Sequence, residues 1–379
     1  MAAKLVTRCS LLMQVLVFFL AVVPDAFALL LNRLKSLTVI EEVNRRGPYL
    51  GLITVIESEE NAFFATGAFK PHKTHPFVDL SGRRFRVGKI HGEKVIYVRC
   101  GVGMVNAAAA TQQMLDLFDI KGIIHFGIAG NANDSLSIGD VIIPKQFAHT
   151  GIWDWVNLNS ATNLGDVVHL DIASYNVPKG EGTNLLGHIG HRNEEFYTEL
   201  GKPNTAQPLF WAETSKHCFI LLPTWRTLIV QRTLAMLFTW ILQATMCQKP
   251  LFWAETSKHW LHLAANLEGM ELEQCVNSSL CLPHKPKLVV GLRGSTSNIF
   301  VDNAAYRKFL VRNFHVSSVD MESAAVVMTS LSNGFPVIVF RGLSDLAGGQ
   351  SGENAISKFG PLAALNTAKA VIQFIKTLQ

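Results

Sequence analysis

Gly122-Ile-Ile-His-Phe-Gly-Ile-Ala-Gly130 is the stretch that decides the fold class of this 379-residue chain. Its apolar, largely β-branched run is typical of a strand that is buried on both faces and ends in a loop of small residues. Further strands are predicted at residues 51–56, 94–99, 140–144 and 336–341, and helices at 105–118, 318–331 and 361–378. Alternating strands and helices predict an α/β protein with three layers, a central mixed sheet flanked by helices.

The composition is that of a globular protein. Hydrophobic residues make up 49% of the chain and charged residues 17%, which excludes a disordered protein. The formal net charge is +5, from 34 basic and 29 acidic residues. Much of this excess lies in residues 1–28 and 218–259, which are unlike the rest of the chain. No clustered basic face remains, so a nucleic-acid partner is not expected.

Residues 1–28 are predicted to be a secretory signal peptide. They begin with basic residues, continue with an apolar run and end in Ala26-Phe27-Ala28, the small-x-small pattern of a cleavage site. An uncleaved anchor helix is the alternative, but the apolar run is short and Pro24 closes it. Residues 29–379 are therefore predicted to form one domain that enters the secretory pathway and ends in the vacuole or outside the cell.

Secretion changes the interpretation of the cysteines. Cys275 and Cys281 lie close together in a polar loop and are candidates for a disulfide in an oxidising compartment. Cys100 would then remain as a free, buried thiol. Asn133 and Asn277 each begin an Asn-x-Ser sequence and are candidates for glycosylation on the same route.

A ten-residue segment occurs twice. Residues 208–217, Pro-Leu-Phe-Trp-Ala-Glu-Thr-Ser-Lys-His, recur without change at 250–259. A single unchanged recurrence indicates a duplication rather than a solenoid, whose repeats diverge and recur several times. The alternative interpretation of the apolar stretch between the copies is a membrane-spanning helix, but Arg226 and Arg232 interrupt that stretch. Residues 218–259 are therefore predicted to be an insertion without a functional role.

Acidic side chains follow three of the predicted element boundaries. They are found in Glu57-Ser-Glu59-Glu60, in Asp320-Met321-Glu322 and in Ser344-Asp345. Each cluster alone has a structural explanation, as first-turn acids of a helix, as an N-cap or as a loop carboxylate. Because ligands of α/β folds bind where the loops beyond the strand ends gather, the three together predict a site there.

With these motifs, the chain resembles the purine nucleoside phosphorylase superfamily from Gly51 to the C-terminus, residues 218–259 excepted. It is most similar to the methylthioadenosine/S-adenosylhomocysteine nucleosidases and to the plant bark and vegetative storage proteins built on that fold. The matching segments are Gly51–Glu59, Cys100-Gly-Val-Gly103, Phe126-Gly-Ile-Ala-Gly130, Gly139–Pro144, Val319-Asp-Met-Glu-Ser-Ala324 and Arg341-Gly-Leu-Ser-Asp-Leu-Ala347. The resemblance implies a nucleoside-phosphorylase-like fold, a homodimer, a small purine nucleoside as partner and no cofactor.

The resemblance also implies roles for the acids. Asp345 matches the general acid at N7 of the departing purine, and Glu322 matches the carboxylate that holds the ribose hydroxyls. Glu59 matches the base that orients and deprotonates the attacking water, while Met321 would pack beneath the sugar. This arrangement suits cleavage of an N-glycosidic bond, because positive charge builds on the ribose and negative charge on the base.

Further substrate-binding positions follow from the same resemblance. They are Ser344, Ala129, Gly130, Ile299, Phe300 and Cys100, of which Cys100 stands where a small hydroxyl residue is expected beside the water or phosphate site. Glu57 follows the first strand, where phosphorylases bind phosphate, so hydrolysis is favoured over phosphorolysis. A nitrogen-storage protein with little or no turnover stays open as an alternative. The His-x-x-His pairs lack the HExxH zinc pattern, and no metal site is expected.

Overall fold

The computed structural model describes residues 31–152, 177–179, 182–184, 194–199, 202–209, 253–350 and 352–379. The predicted signal peptide and residues 210–252 lie outside these ranges. The helices are residues 31–44 (α1), Glu57–Ala65 (α2), Met104–Leu117 (α3), Lys258–Ala265 (α4), Ala304–Phe314 (α5), Ser323–Ser332 (α6) and Ile356–Thr377 (α7).

Nineteen strands are described. In chain order they are Tyr49–Thr54 (β1), Lys70–Pro71 (β2), Phe77–Leu80 (β3), Arg83–Ile90 (β4), Glu93–Arg99 (β5), Ile120–Asn131 (β6), Val141–Ile143 (β7), Gln146–His149 (β8), Val177–Lys179 (β9), Gly182–Asn184 (β10), Glu194–Phe196 (β11), Gln207–Leu209 (β12), Trp253–Glu255 (β13), Cys275–Asn277 (β14), Leu280–Cys281 (β15), Leu288–Val290 (β16), Arg293–Thr296 (β17), Ser318–Asp320 (β18) and Val337–Asp345 (β19).

Thirteen of these strands form one mixed sheet around β6. β1 and β19 pair with β6 in parallel on its two sides, and β5 pairs in parallel with β1. The last residues of β6 also pair with the antiparallel strand β18, with Val319 opposite Gly130. The end of β6 is thus enclosed between β18 and β19, which places the loops that follow these strands close together.

Both faces of the sheet are buried beneath helices. In β1, Leu50 and Leu52 belong to the cluster that also contains side chains of α2, α4 and α7. Ile53 belongs to the opposite cluster, with side chains of α3 and α6. Successive strand residues therefore enter opposite layers, as the pleat requires. The predicted three-layer fold with a central mixed sheet is confirmed.

The predicted helix at 318–331 begins later than expected. Ser318–Asp320 is a strand, because Val319 pairs with β6 and lies between two other strands. The helix starts at Ser323, where the Asp320 carboxylate accepts hydrogen bonds from the N–H groups of Glu322 and Ser323 at 3.1 and 2.9 Å. Asp320 therefore caps the helix from the end of the preceding strand.

The second copy of the repeat is integrated in the domain, and the insertion of 218–259 stays a prediction. Trp253–Glu255 pairs antiparallel with β8, and the Ser257 hydroxyl accepts a hydrogen bond from Trp260 N at the start of α4. Trp260 itself is buried in the core. The strand and the helix cap make this copy part of the domain. No helix among the described residues is long and apolar enough to cross a bilayer.

The hairpin of β14 and β15 carries a disulfide between Cys275 and Cys281. Asn277 lies exposed at its turn, and its side-chain oxygen accepts a hydrogen bond from Ser279 N. Asn133 is half-buried, and its side-chain nitrogen donates to the Ser317 hydroxyl at 3.1 Å. Glycosylation stays a prediction, and of the two asparagines Asn277 has the more accessible amide.

Candidate active site

Glu59 joins the start of α2 to the end of β6. One carboxylate oxygen accepts hydrogen bonds from Val55 N and Ile56 N at 2.7 and 3.1 Å. The other accepts one from Ile128 N at 2.8 Å. The helix begins directly after β1, so the carboxylate of its third residue turns back onto the chain that precedes it. Glu59 is therefore a helix cap and a contact between two strand ends.

Gly127 allows Glu59 to approach β6 closely. A Cβ atom at this position would lie 2.3 Å from Glu59 Oε1 and 2.7 Å from Arg341 Nη1. Burial raises the pKa of Glu59, while the Arg341 charge and three backbone N–H groups oppose the rise. The absent side chain at 127 thus lets a carboxylate accept from the N–H of Ile128 while a guanidinium donates to the carbonyl of the same residue.

Arg341 is the buried cation of the site. It lies within β19 and has no exposed surface. Its Nε donates to the Ser323 hydroxyl at 3.0 Å and lies 3.2 Å from Asp320 Oδ2. Nη1 donates to Ile128 O at 3.2 Å, and Nη2 lies 3.6 Å from Glu322 Oε2. One guanidinium therefore ties β6, β18 and the start of α6 together.

His125 orients this guanidinium from β6. Arg341 Nη2 donates to His125 Nε2 at 2.6 Å, and His125 Nδ1 lies 3.0 Å from Ile53 O. Because Nε2 accepts, the proton belongs on Nδ1, which donates to the Ile53 carbonyl. Burial and the Arg341 charge lower the pKa of His125 to about 3. The ring is neutral and acts as a fixed acceptor.

The two acids around Met321 are in different charge states. Burial raises the pKa of Glu322 to about 8, opposed by Arg341 and reinforced by the charge of Asp320. Burial acts on Asp320 as well, but the Arg341 charge and the hydrogen bonds from Ser323 and Thr296 outweigh it and lower its pKa. Asp320 is the permanent partner of Arg341, and Glu322 can change its charge near neutral pH.

Glu322 connects the site to the glycine loop after β5. Its Oε1 accepts a hydrogen bond from Gly103 N at 2.9 Å. Cys100, at the start of this loop, is fully buried, and its thiol donates to Gly101 O. Burial and the nearby Glu322 and Glu59 raise the pKa of the Cys100 thiol well above its usual range. Cys100 is therefore a protonated, internal group.

Asp345 ends β19 beside Gly130. Its Oδ2 accepts hydrogen bonds from Ala347 N at 3.0 Å and from the Asn354 amide at 3.2 Å. The Ser344 hydroxyl lies 2.8 Å from Asp345 Oδ1 and 3.2 Å from the carbonyl of Ala129. Only 2% of Asp345 is exposed. The carboxylate is held on both oxygens at the end of the central strands.

The structure brings the predicted acids to one end of the sheet. Glu59 bonds to Ile128, Arg341 links that residue to Glu322, and Asp345 lies beside Gly130. Three consecutive residues at the end of β6 thus connect all three acids. Their roles in binding and catalysis remain predictions.

The remaining predicted contacts lie on the surrounding loops. Met321 is half-buried between the two acids, and Ile299 and Phe300 are each 42% exposed on the loop after β17. The neighbouring Asn298 anchors this loop, because its side-chain oxygen accepts a hydrogen bond from Met104 N at 2.9 Å. Two apolar side chains therefore lie at the surface close to the glycine loop.

Sequence reasoning missed Arg341, His125 and the part played by Asp320. The signal was present for the first two, since an arginine and a histidine interrupt otherwise apolar strands. A polar residue in a strand that is buried on both faces needs a partner in the interior. Two such residues on adjacent strands indicate a buried polar network.

A family model for the phosphorylase superfamily matches residues 49–186 and 248–376. The chain belongs to this superfamily. It is 32% identical to bark storage protein A of Populus deltoides over 330 residues, which cover 87% of this chain and 88% of that protein. It is 36% identical to a 5'-methylthioadenosine/S-adenosylhomocysteine nucleosidase of Listeria welshimeri over 100 residues, 26% of this chain and 41% of that one.

Solved structures share the fold. A 5'-methylthioadenosine/S-adenosylhomocysteine nucleosidase from Colwellia psychrerythraea in complex with adenine superposes with a TM-score of 0.53 at 19% identity, covering 88% of this chain and 96% of that one. Futalosine hydrolase of Helicobacter pylori superposes with a TM-score of 0.51 at 18% identity, covering 86% and 97%.

Proposed function

We propose that this protein hydrolyses the N-glycosidic bond of purine nucleosides. The observation that carries the proposal is the convergence of Glu59, Glu322 and Asp345 on the last residues of β6, with Arg341 as the buried cation beside Glu59 and Glu322. Three carboxylates from three distant parts of the chain are costly to bury together. Nucleoside cleavage uses such an arrangement, because opposite charges develop on the sugar and on the base.

Each acid has a distinct task in this proposal. Asp345 delivers a proton to N7 of the purine, so that the base leaves as a neutral molecule. Glu322 holds the ribose hydroxyls, and in its ionised form it stabilises the positive charge on the sugar. Glu59 accepts a proton from the water that attacks C1′. Proton transfer by a positioned side chain contributes about 10²–10⁴ in rate.

The two kinds of relative support two different functions. The nucleosidases are named for cleavage of purine nucleosides, and the Colwellia structure contains adenine. The bark storage proteins match over most of the chain, at 32% and 31% identity. Storage without turnover is therefore the second candidate function.

A base-release assay separates the two candidates. The folded chain from Leu29 onward would be incubated with adenosine, inosine and 5'-methylthioadenosine, and free base would be measured by chromatography. We expect purine release from at least one nucleoside by the wild type and by Glu271→Gln, which alters an exposed acid on the hairpin side of the molecule. A folded wild-type chain that releases no base from any of them would favour storage.

We also propose that the protein works in the secretory pathway, in the vacuole or outside the cell, as a homodimer. The Cys275–Cys281 disulfide suits an oxidising compartment. The signal-peptide pattern of residues 1–28 agrees with this route. Fractionation of tagged protein tests the compartment, and light scattering coupled to size-exclusion chromatography tests the dimer. A cytosolic monomer would contradict both parts.

A further inference from the structure

The loop between β5 and α3 has the form of an anion-binding site. Gly101 and Gly103 adopt positive φ angles of 94° and 95°, and the loop leads into a helix of 14 residues. Backbone N–H groups of such a loop, at the positive end of a helix dipole, are suited to bind phosphate and other oxyanions. The partners of these N–H groups therefore decide whether an anion can bind.

Three consecutive N–H groups of this loop are already bonded to side chains. Val102 N donates to Glu195 Oε2 at 2.9 Å, and Gly103 N donates to Glu322 Oε1 at 2.9 Å. Met104 N donates to Asn298 Oδ1 at 2.9 Å. Two of the three acceptors are carboxylates, which are the protein's own substitutes for a bound anion.

Glu195 comes from a part of the chain that the superfamily model does not match. It lies in β11, between the matched ranges 49–186 and 248–376. We call residues 194–199 and 202–209 the strap, and its first part lies against the glycine loop. Glu322, by contrast, belongs to the matched part of the chain. The second carboxylate on the loop is thus supplied by a segment outside the ranges that the superfamily model matches.

The strap is attached at several points around Glu195. The Asn106 side chain donates to Glu195 O at 2.8 Å, and the Tyr197 hydroxyl donates to Glu195 Oε2 at 3.2 Å. The Tyr197 ring lies against Gly101, where a Cβ atom would approach it to 2.4 Å, and beneath the Arg83 guanidinium. These contacts fix the carboxylate on the Val102 amide.

More contacts hold the second half of the strap. Arg99 Nη2 donates to Asn204 O at 2.7 Å, and Arg84 N donates to the Asn204 side chain at 2.9 Å. Glu199 accepts a hydrogen bond from Ser81 N. Glu199 therefore offers a matched comparison, because it is a strap carboxylate on a backbone N–H that is outside the glycine loop.

We propose that Glu195 determines the acceptor specificity of the site by filling its anion position, so that water and not inorganic phosphate receives the ribosyl group. This inference rests on the proposed nucleosidase function. A phosphate at the loop would have to displace the Glu195 carboxylate from Val102 N or lie beside it, where like charges repel. A water molecule carries no such charge.

The chemical step differs between the two acceptors. In hydrolysis, the C1′–N9 bond breaks with its electron pair going to the purine, which takes a proton from Asp345. The water oxygen forms the new bond to C1′ and its proton goes to Glu59, so that free ribose and purine result. With phosphate, a phosphate oxygen would form the bond to C1′ and ribose 1-phosphate would result.

The test compares wild type, Glu195→Ala, Glu195→Gln and the control Glu199→Ala. Potassium phosphate is titrated against potassium chloride of equal ionic strength, and the melting temperature is measured by circular dichroism. Separately, free ribose is identified by proton NMR and ribose 1-phosphate by phosphorus NMR. We expect wild type and Glu199→Ala to show no saturable effect of phosphate and to form only free ribose. Glu195→Ala should gain saturable phosphate binding, roughly tenfold or more tighter than any by wild type.

Glu195→Gln keeps the shape of the side chain and removes its charge, so it should gain weaker phosphate binding than Glu195→Ala. Ribose 1-phosphate from wild type would overturn the proposal, and so would folded Glu195 variants that respond to phosphate no more than Glu199→Ala does. If no chain releases purine, the nucleosidase function fails. The melting measurements would still show whether Glu195 blocks the anion position.

Discussion

Arg341 determines how the individual acids behave. Its guanidinium contacts Asp320 at 3.2 Å and Glu322 at 3.6 Å, so the nearer carboxylate is held ionised and the farther one is left with a raised pKa. The neutral His125 ring fixes the direction of the guanidinium without adding charge. Two carboxylates that lie two residues apart in the chain therefore have pKa shifts of opposite direction beside one cation.

Asp345→Asn should abolish most turnover and leave the fold intact. The asparagine oxygen can accept the hydrogen bonds from Ala347 N and Asn354, and its nitrogen can donate to the Ser344 hydroxyl. It has no proton to deliver to a leaving base, so we expect a loss of about 10²–10⁴ in turnover. Base release and urea unfolding measure the two effects. Equal activity of the variant and the wild type would show that Asp345 is not the acid.

Glu322 and His125 should shape the pH dependence of stability. Glu322 has a pKa of about 8 when folded and an ordinary value of 4.5, so unfolding releases its proton and stability falls as the pH rises between these values. His125 has a pKa of about 3 when folded and an ordinary value of 6.5, so stability falls as the pH drops from 6.5 towards 3. The two effects oppose each other between about pH 4.5 and 6.5, where we expect a plateau.

Urea unfolding at a series of pH values measures this profile. Outside the plateau, each group contributes a slope of at most about 1.4 kcal/mol per pH unit. Glu322→Gln should remove the decline between pH 6.5 and 8, and His125→Asn should remove the decline below pH 4.5. A variant that keeps the slope assigned to the residue it lacks would contradict the assignment.

The acids could be predicted from the sequence, and their surroundings could not. Glu59, Glu322 and Asp345 stand at element boundaries within recognisable motifs, so chain order was sufficient to propose them. Arg341 and His125 have partners on other strands, and only the register between β6 and β19 brings them together. Glu195 had no signal, because its contact with Val102 depends on how the strap folds back over the loop.

At the level of the elements, β6 is the strand that organises the site. Its residues Gly127 to Gly130 receive Glu59 from α2, and Arg341 and Asp345 from β19. The apolar run predicts this strand, but it does not predict which other strands pair with it. Val319 pairs with Gly130, so residues 318–320 form a strand, and the helix runs from Ser323 to Ser332 instead of over the predicted 318–331.

Gly127→Ala tests the close approach at this strand. The added methyl group would meet Glu59 and Arg341, and we expect a destabilisation of about 1–3 kcal/mol. Displacement of these groups should also lower turnover by roughly 10². Urea unfolding and base release measure both effects.

Gly360→Ala is the matched control for that variant. Gly360 lies in α7, and the nearest atom to an added Cβ is 3.6 Å away. Alanine is the better helix former, but Pro361 follows and disfavours a Cβ in the helical region, so we expect stability to change by less than about 1 kcal/mol and turnover to stay the same. If both alanine variants are equally stable, the contacts around Gly127 are looser than the structure indicates.

At the level of the whole molecule, either copy of the repeat has the sequence of the edge strand that pairs with β8. The structure uses the second copy, in which Trp253–Glu255 pairs with β8 and Ser257 caps α4. The first copy has the same ten residues at 208–217. A chain without residues 218–259 would join this first copy directly to Trp260, and the sequence entering α4 would be unchanged.

We therefore expect deletion of 218–259 to leave the melting temperature within a few degrees of the wild type. Trp211–Glu213 can then replace Trp253–Glu255 beside β8, because every side chain of the strand is conserved in the copy. Deletion of 208–259 removes both copies, the edge strand and the helix cap, and should lower the melting temperature more than the shorter deletion does, since a lost cap alone costs about 1 kcal/mol, or roughly 2 °C in a chain of this size. Calorimetry of the three chains measures the difference. Equal melting temperatures of the two deletion variants would show that the edge strand contributes nothing to stability. Loss of cooperative unfolding in the shorter deletion would show that the fold needs the chain between the copies.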